Sequence, residues 1–287
     1  MDSTFFGLNE FAIYKNNNTE TLSSKYEYEF TFPFEKIEDT KALTLMFQKY
    51  WYHSITVSVL YFVAIKALQK IMENRKPFEL KYPLFLWNLA LAIFSILGTV
   101  RFSEDFLHNW FNHGFTYSIC HSCNPESVAA FWSLAFCASK VVELGDTLFI
   151  ILKKKPLIFL HYYHHAAVLI YTVHSGAEHT SSGQAYILMN FFVHSLMYFY
   201  LALQTLRLFK MPKYVSMTLT TLQLIQMVIG VSTTLYVYYI KTKLGVPCQQ
   251  SIPNIYFAIA IYLSFGILFV NFFINAYCVK QRKSKMQ

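Results

Sequence analysis

The chain has 287 residues, of which 55% are hydrophobic and only 14% are charged, and its formal net charge is +8. Roughly a quarter of the residues of a soluble domain are charged, so this composition excludes a soluble globular protein, and its apolar content excludes a disordered one. The basic residues form short clusters between apolar runs, and no RNA-binding signature is present, which argues against nucleic acid as a partner. An integral membrane protein is the class that fits.

Seven apolar stretches are long enough to cross a hydrocarbon core of about 30 Å, which takes about 20 helical residues. In chain order they are residues 52–69, 83–101, 128–152, 156–176, 183–206, 214–240 and 253–278. The sequence therefore predicts an all-α membrane protein with seven transmembrane helices. The membrane domain would cover residues 50–279, between an N-terminal tail (1–49) and a C-terminal tail (280–287).

The charge of the connections predicts the orientation. Those after the first, third and fifth spans, together with the C-terminal tail, are rich in Lys and Arg, whereas the opposite short loops are not. Because positive residues favour the cytosol, the N-terminus is expected to be lumenal or extracellular and the C-terminus cytosolic. Asn17 begins a candidate glycosylation sequon on the outer side. Lys283 and Lys285 form either a dilysine-type signal for retrieval to the endoplasmic reticulum or only a part of the positive cluster.

Three of the five cysteines fall in loops on the predicted outer side, where disulfides form and persist. Cys120 and Cys248 are the candidate pair, Cys123 is the alternative partner of Cys248, and free thiols are the remaining possibility. The segment Cys120-His121-Ser122-Cys123 does not supply the four ligands of a structural zinc site.

Polar side chains inside the predicted spans indicate a functional site, because ionisable groups are costly in a membrane. Their helical spacing puts those of each span on one face. At about 1.5 Å per residue, groups from four helices could meet in one chamber open to the cytosol. The alternatives are a mutually neutralising pair in the third span and glutamines that only join helices. The candidate residues are Lys140, Glu143, Asp146, Thr147, His161, His164, His165, Asn190, His194, Tyr198, Gln223 and Gln226.

Two chemistries fit a His-x-x-His-His turn. A metal held by His161, His164, His165 and His194 would suit a membrane desaturase or hydroxylase, but those di-iron enzymes use several histidine boxes and this chain has one. In the other chemistry, a neutral imidazole attacks a thioester and forms an acyl-imidazole, while neighbouring histidines handle the proton. Cys137 is a rival nucleophile, although apolar surroundings disfavour its thiolate.

Four motifs in a fixed order carry a resemblance. They are Lys140-x-x-Glu143-x-x-Asp146-Thr147, His161-x-x-His164-His165, His194-x-x-Met197-Tyr198-x-Tyr200 and Thr220-x-Leu222-Gln223-x-x-Gln226. Together they resemble the fatty acid elongases, the condensing enzymes of very-long-chain acyl-CoA synthesis, over about residues 50–280. Leu201 departs from the family pattern, which usually has a second tyrosine there.

The resemblance implies an acyltransferase, a very-long-chain 3-oxoacyl-CoA synthase, which condenses malonyl-CoA with a long-chain acyl-CoA to give 3-oxoacyl-CoA, CoA and CO2. It implies that His164 takes the acyl group, that His161 and His165 flank it, and that His194 assists the malonyl step. Lys140, Glu143 and Asp146 would shape the site. No metal or redox cofactor is then expected, because decarboxylation drives the carbon–carbon bond.

The resemblance also implies a multi-pass protein of the endoplasmic reticulum, with six spans in a barrel around an acyl tunnel and one peripheral helix. Membrane lipid, the reductases and dehydratase of the elongation cycle, and a second copy of the chain are the expected partners. Tyr163, just before His164, is similar to the branch of the family that acts on saturated, monounsaturated or methyl-branched chains.

A seven-helix receptor or a transporter is the alternative outside enzymes. A receptor would be expected to end its third span in an Asp-Arg-Tyr-like motif, but this span ends in Lys153-Lys154-Lys155, and no proline follows Pro253 in the seventh. A transporter would be favoured by an internal repeat, which the sequence does not show.

Overall fold

The computed structural model describes residues 8–9, 11, 22–207 and 211–279, and within these ranges the regular elements are helical, without a strand. The candidate signals at Asn17, Lys283 and Lys285 lie outside the described residues. The α-helices are α1 (Thr40–Tyr50), α2 (His53–Met72), α3 (Lys81–His113), α4 (Phe115–Cys120), α5 (Val128–Val142), α6 (Gly145–Leu152), α7 (Phe159–Glu178), α8 (Gly183–Leu206), α9 (Lys213–Lys243) and α10 (Ile252–Phe273).

Six of these helices form a closed ring. Each packs on the next in the order α3, α8, α9, α10, α7 and α5, and α5 returns to α3, while α2 packs outside the ring on α6 and α7. Gly98 allows the close approach of α3 and α8, because a Cβ atom there would lie 2.6 Å from the ring of Phe191. The predicted all-helical membrane fold is confirmed.

Among the described residues, five helices are long and apolar enough to cross a membrane: α2, α3, α8, α9, and α10 with its continuation to Cys278. The other two predicted spans correspond to the pair α5 and α6, which is interrupted, and to α7, which carries the histidine turn. The chain is therefore a multi-pass membrane protein, and the count of seven crossings stays a prediction.

Two boundaries differ from the sequence prediction. Helix α3 runs to His113 instead of ending at residue 101, because distant polar partners hold its last turns. Ser24 Oγ donates to Asp105 Oδ1 at 2.6 Å, and Tyr26 OH donates to Glu104 Oε1 at 2.6 Å. The predicted tail of residues 1–49 also contains a helix, α1, whose N-cap is the Asp39 carboxylate.

The third predicted span is broken between α5 and α6. The Asp146 N–H donates to the Glu143 carbonyl at 3.1 Å, which is the tighter turn of a 3₁₀ helix. Gly145 opens α6 directly against Trp87, where a Cβ atom would lie 2.7 Å from the indole ring. Because of this break, the polar residues before it and those after it point in different directions and contact different helices of the ring.

The two ends of the ring differ in chemistry. At one end, a disulfide between Cys120 and Cys248 joins α4 to the loop after α9. At the other end, Lys153 and Lys155 follow α6 and Arg207 follows α8. We refer to these as the disulfide end and the basic end.

Candidate active site

A chain of hydrogen bonds runs from α5 to α8 in the interior of the ring. Lys140 Nζ donates to Glu143 Oε1 at 2.8 Å and to Asn190 Oδ1 at 2.9 Å. Asn190 Nδ2 lies 3.2 Å from His194 Nε2, and Glu143 Oε2 lies 3.8 Å from His194 Nδ1. All four side chains are buried.

This chain fixes the tautomer of His194. Because the amide oxygen of Asn190 accepts from Lys140, its NH2 group must donate to His194 Nε2, which then carries no proton. The proton of a neutral His194 is therefore on Nδ1, the nitrogen that faces Glu143. Lys140 and Glu143 thus orient Asn190 and His194.

Asp146 is held by two donors from other helices. Its Oδ1 accepts from the indole Nε1 of Trp87 in α3 at 2.6 Å, and its Oδ2 accepts from the Tyr198 hydroxyl in α8 at 2.7 Å. The carboxylate therefore joins three elements of the wall and is fixed in direction.

The histidine turn lies on α7, and its three rings differ in their contacts. Thr147 Oγ1 and His161 Nε2 are 2.9 Å apart, and the rings of His161 and His165 lie 4.4 Å apart between centroids. His164 packs on Phe265, with 4.8 Å between ring centroids, and its imidazole makes no hydrogen bond to another described residue. The imidazole of His164 is thus positioned by packing while its nitrogens are left available.

Two cavities meet at His164. One, of about 170 Å³, extends towards the disulfide end and is lined largely by apolar side chains such as Phe136, Val168 and Ile261. The other, of about 1110 Å³, extends to the basic end, where Lys153 and Arg207 line it. The residues that line both cavities are His164, Asn190, Gln226 and Met227.

The remaining site residues predicted from the sequence divide by position. Asp146, His161, His165, His194, Tyr198 and Gln223 line the basic-end cavity. Lys140, Glu143 and Thr147 lie behind the wall and, among the described residues, are not part of either lining. Gln223 Nε2 donates to Met197 Sδ at 3.5 Å, so it reaches α8 across the cavity wall.

The cysteines divide into one disulfide pair and free thiols. Cys137 lines the disulfide-end cavity as a free thiol, and Cys123 is free while Cys120 pairs with Cys248. In the part of the chain that the structure describes, no three His, Cys, Asp or Glu side chains converge as a metal site would require.

Several residues that the sequence did not single out complete the site. Trp87 holds Asp146, although a tryptophan in an apolar run looks like a lipid-facing residue. Thr44 Oγ1 and His179 Nε2, 2.8 Å apart, close the far end of the disulfide-end cavity beside Phe47. In the sequence, the feature that could have indicated Thr44 is its position as a polar residue on the inner face of the amphipathic helix α1.

Known proteins of one family are similar to this chain over most of its length. Residues 46–285 match the ELO family, described as GNS1/SUR4. "Putative fatty acid elongase 4" of Caenorhabditis elegans is 60% identical over 276 residues, which are 96% of this chain and 94% of that protein. "Very long chain fatty acid elongase 6" of Drosophila melanogaster is 42% identical over 221 residues (76% and 70%), and "Very long chain fatty acid elongase 3" of Homo sapiens is 36% identical over 249 residues (86% and 91%). The chain belongs to the ELO family of fatty acid elongases.

Proposed function

We propose that this elongase catalyses the condensing step, in which malonyl-CoA and a long-chain acyl-CoA give 3-oxoacyl-CoA, CoA and CO2. The observation that carries the proposal is the position of His164, at the junction of an apolar cavity and a large cavity with a basic mouth. Family membership supports the reaction class and sets aside the desaturase, receptor and transporter alternatives.

The two cavities suit the two parts of an acyl-CoA. The acyl chain would occupy the disulfide-end cavity, whose lining is mainly apolar. The anionic phosphates of CoA would lie at the basic end, near Lys153, Lys155 and Arg207. The thioester between these parts then falls beside His164.

In the first half-reaction, a His164 ring nitrogen attacks the thioester carbonyl carbon, the C–S bond breaks, and CoA leaves as a thiolate. The proton lost from the imidazole passes to a neighbouring base and finally to the CoA sulfur. His165 and His161, packed on the same helical turn, are placed for this transfer.

In the second half-reaction, malonyl-CoA loses CO2, and the enolate that remains attacks the acyl-imidazole carbonyl carbon. The C–N bond breaks, and the imidazolate of His164 that leaves takes up a proton from solvent, which makes the ring neutral again. Asn190 and His194, which line the cavity beside His164, would hold the malonyl group. Lys140 and Glu143 fix the orientation of both. This route uses no metal or redox cofactor, because decarboxylation supplies the carbanion.

The proposal for the substrate class rests on the resemblance at Tyr163, the residue before the proposed nucleophile. The Tyr163 hydroxyl donates to Ser264 Oγ at 2.9 Å, and its ring packs on Phe265, which in turn contacts His164. Tyr163 thus supports Phe265, which lines the disulfide-end cavity. Because Tyr163 resembles the corresponding residue of the branch that acts on such chains, we propose saturated, monounsaturated or methyl-branched acyl chains as substrates. We also propose residence in the endoplasmic reticulum membrane with the basic end cytosolic, and contact there with the other enzymes of the elongation cycle.

The deciding experiment is capture of the acyl-enzyme. Purified protein is incubated with an acyl-CoA without malonyl-CoA, and the modified peptide is located by mass spectrometry. We expect an acyl group on the peptide with His164 in the unaltered protein and in Cys137→Ala, and none in His164→Ala. Labelled malonyl-CoA should then convert the trapped acyl group to a 3-oxoacyl-CoA. Normal elongation by His164→Ala, or loss of the acyl group in Cys137→Ala alone, would overturn the mechanism.

A further inference from the structure

Three phenylalanines just before α1 form an exposed aromatic strip. Phe30, Phe32 and Phe34 are 59%, 40% and 60% exposed. Their rings are in contact in series: Phe30 meets Phe32 edge to face, with 4.7 Å between centroids, and Phe32 stacks on Phe34, with 5.4 Å between centroids. An apolar patch of this kind on a folded surface marks an interaction site.

The strip is held rigidly from behind. Arg101 Nη2 donates to the Phe30 carbonyl at 2.8 Å and to Glu35 Oε2 at 2.7 Å. The guanidinium carbon also lies 5.6 Å from the centroid of the Phe32 ring. Trp132 Nε1 donates to Glu35 Oε1 at 2.8 Å, so the segment is fastened to both α3 and α5. The rings are therefore presented outwards on a fixed backbone.

The height of the strip can be measured along two helices. Arg101 lies twenty residues after Lys81, the basic start of α3, which is about 30 Å at 1.5 Å per residue. Phe34 packs on Phe131, 5.8 Å away, and Phe131 lies roughly 33 Å along α5 and α6 from Lys153. A hydrocarbon core is about 30 Å thick, so both helices place the strip at the membrane boundary of the disulfide end.

The surface beside the strip is the lipid-facing surface of the ring. Ile93, Leu97 and Val100 are exposed on α3 and lead directly to Arg101. The strip continues this apolar surface, and exposed Phe side chains bury into the boundary between headgroups and acyl chains without crossing the membrane.

We propose that Phe30, Phe32 and Phe34 insert into the outer leaflet of the bilayer at the disulfide end and anchor the segment that leads into α1. Thr44 and Phe47 of α1 line the end of the disulfide-end cavity. The anchor therefore attaches the helix that closes this cavity to the lipid surface. The inference needs only a membrane-spanning bundle and does not depend on the proposed reaction.

The test measures which medium surrounds each side chain. A background with Cys123→Ser, Cys137→Ala and Cys278→Ser keeps the Cys120–Cys248 disulfide, and Phe30→Cys, Phe32→Cys or Phe34→Cys is added for nitroxide labelling. Glu29→Cys and Glu38→Cys, at exposed polar positions of the same segment, are the matched controls. In phosphatidylcholine nanodiscs, accessibility to oxygen, which concentrates in lipid, is compared with accessibility to a water-soluble nickel chelate.

We expect the ratio of oxygen to nickel accessibility to exceed one at the three phenylalanine positions and to fall below one at both glutamates. A ratio below one at all five positions would overturn the proposal, because it would show that the strip is exposed to water. Exclusion of both reagents, with spin–spin broadening between molecules, would overturn it in favour of a second copy of the chain. For the unaltered protein, a photoactivatable phospholipid should crosslink within residues 30–34, and its absence there would count equally against the anchor.

Discussion

Lys140 Nζ donates to Glu143 Oε1 across 2.8 Å, and the side chains of both residues are almost completely buried. Removing one member of a buried ion pair leaves an uncompensated charge, which typically costs about 3–5 kcal/mol. We expect Lys140→Met and Glu143→Gln each to lower the thermal unfolding temperature of the purified protein markedly. The double variant Lys140→Met/Glu143→Leu should recover most of that stability but no activity, because Asn190 and His194 lose their orientation. A double variant less stable than either single variant would contradict the pairing.

Asp146 should tolerate the loss of one hydrogen-bond partner better than the loss of its charge. An asparagine at this position has one acceptor oxygen for two donors, and a buried donor left unsatisfied costs about 1–3 kcal/mol. We therefore expect Asp146→Asn to reduce elongation more than Tyr198→Phe, which keeps the bond from Trp87. The comparison is made on turnover with saturating substrates and on thermal stability. The opposite order would show that Tyr198 has a role other than holding Asp146.

Phe47 is expected to limit product length. It lines the far end of the disulfide-end cavity, whereas Leu45, on the same helix, is exposed on the outer face. If the acyl chain occupies this cavity, Phe47→Ala lengthens the space available to it and should shift the products by one or two rounds of elongation. Leu45→Ala is the control and should leave the product profile unchanged. Gas chromatography of the products provides the measurement, and equal profiles for the two variants would exclude this role of α1.

The cations of the basic end should contribute to substrate affinity. Loss of a charge-assisted hydrogen bond to a phosphate costs roughly 1.4 kcal/mol or more, which is about a tenfold change in affinity. Lys155→Ala and Arg207→Ala should therefore each raise KM for acyl-CoA about tenfold and weaken its dependence on salt, with kcat little changed. Lys49→Ala, an exposed lysine of α1, serves as the matched control. A KM that changes equally in all three variants would contradict a localised phosphate site.

Glu35 should make stability depend on pH in the acid range. Burial alone opposes the charge of its carboxylate, but hydrogen bonds from Arg101 and Trp132 outweigh burial and hold the pKa of Glu35 below its ordinary value of 4.5. A group whose pKa is lower in the folded state stabilises it above the unfolded-state pKa and loses that contribution as pH falls through the folded-state value. The unfolding temperature should therefore fall as pH drops below about 4.5, and Glu35→Gln should remove that part of the fall while lowering stability at neutral pH. Parallel curves for the two proteins would show that Glu35 is not responsible.

Periodicity and the cost of buried charge predict much of this architecture. The first apolar stretch of the sequence corresponds to α2 outside the ring, and the others correspond to the helices of the ring. The spacing of His161, His164 and His165 predicts the shared helical face on which they lie. These features depend on residues close together in the chain, so a single sequence contains the whole signal.

The features that the sequence did not predict depend on contacts between distant residues. The last turns of α3 contain Glu104 and Asp105, which look like loop residues until Ser24 and Tyr26 pair with them. His179, in the loop after α7, is ordinary in sequence and acquires a role only because α1 folds over it. The break at Gly145 depends on Trp87, which belongs to another helix.

The order of helices in the ring has a consequence for biosynthesis. The ring closes only where α10 meets α7, and α10 is the last of its six members to leave the ribosome. Until then α3, α5, α7, α8 and α9 form an open trough, in which His164 lacks its packing partner Phe265 of α10. Assembly of the site is therefore a late event of membrane insertion, and a chain truncated before Ile252 has the histidine turn but no enclosed cavity around it.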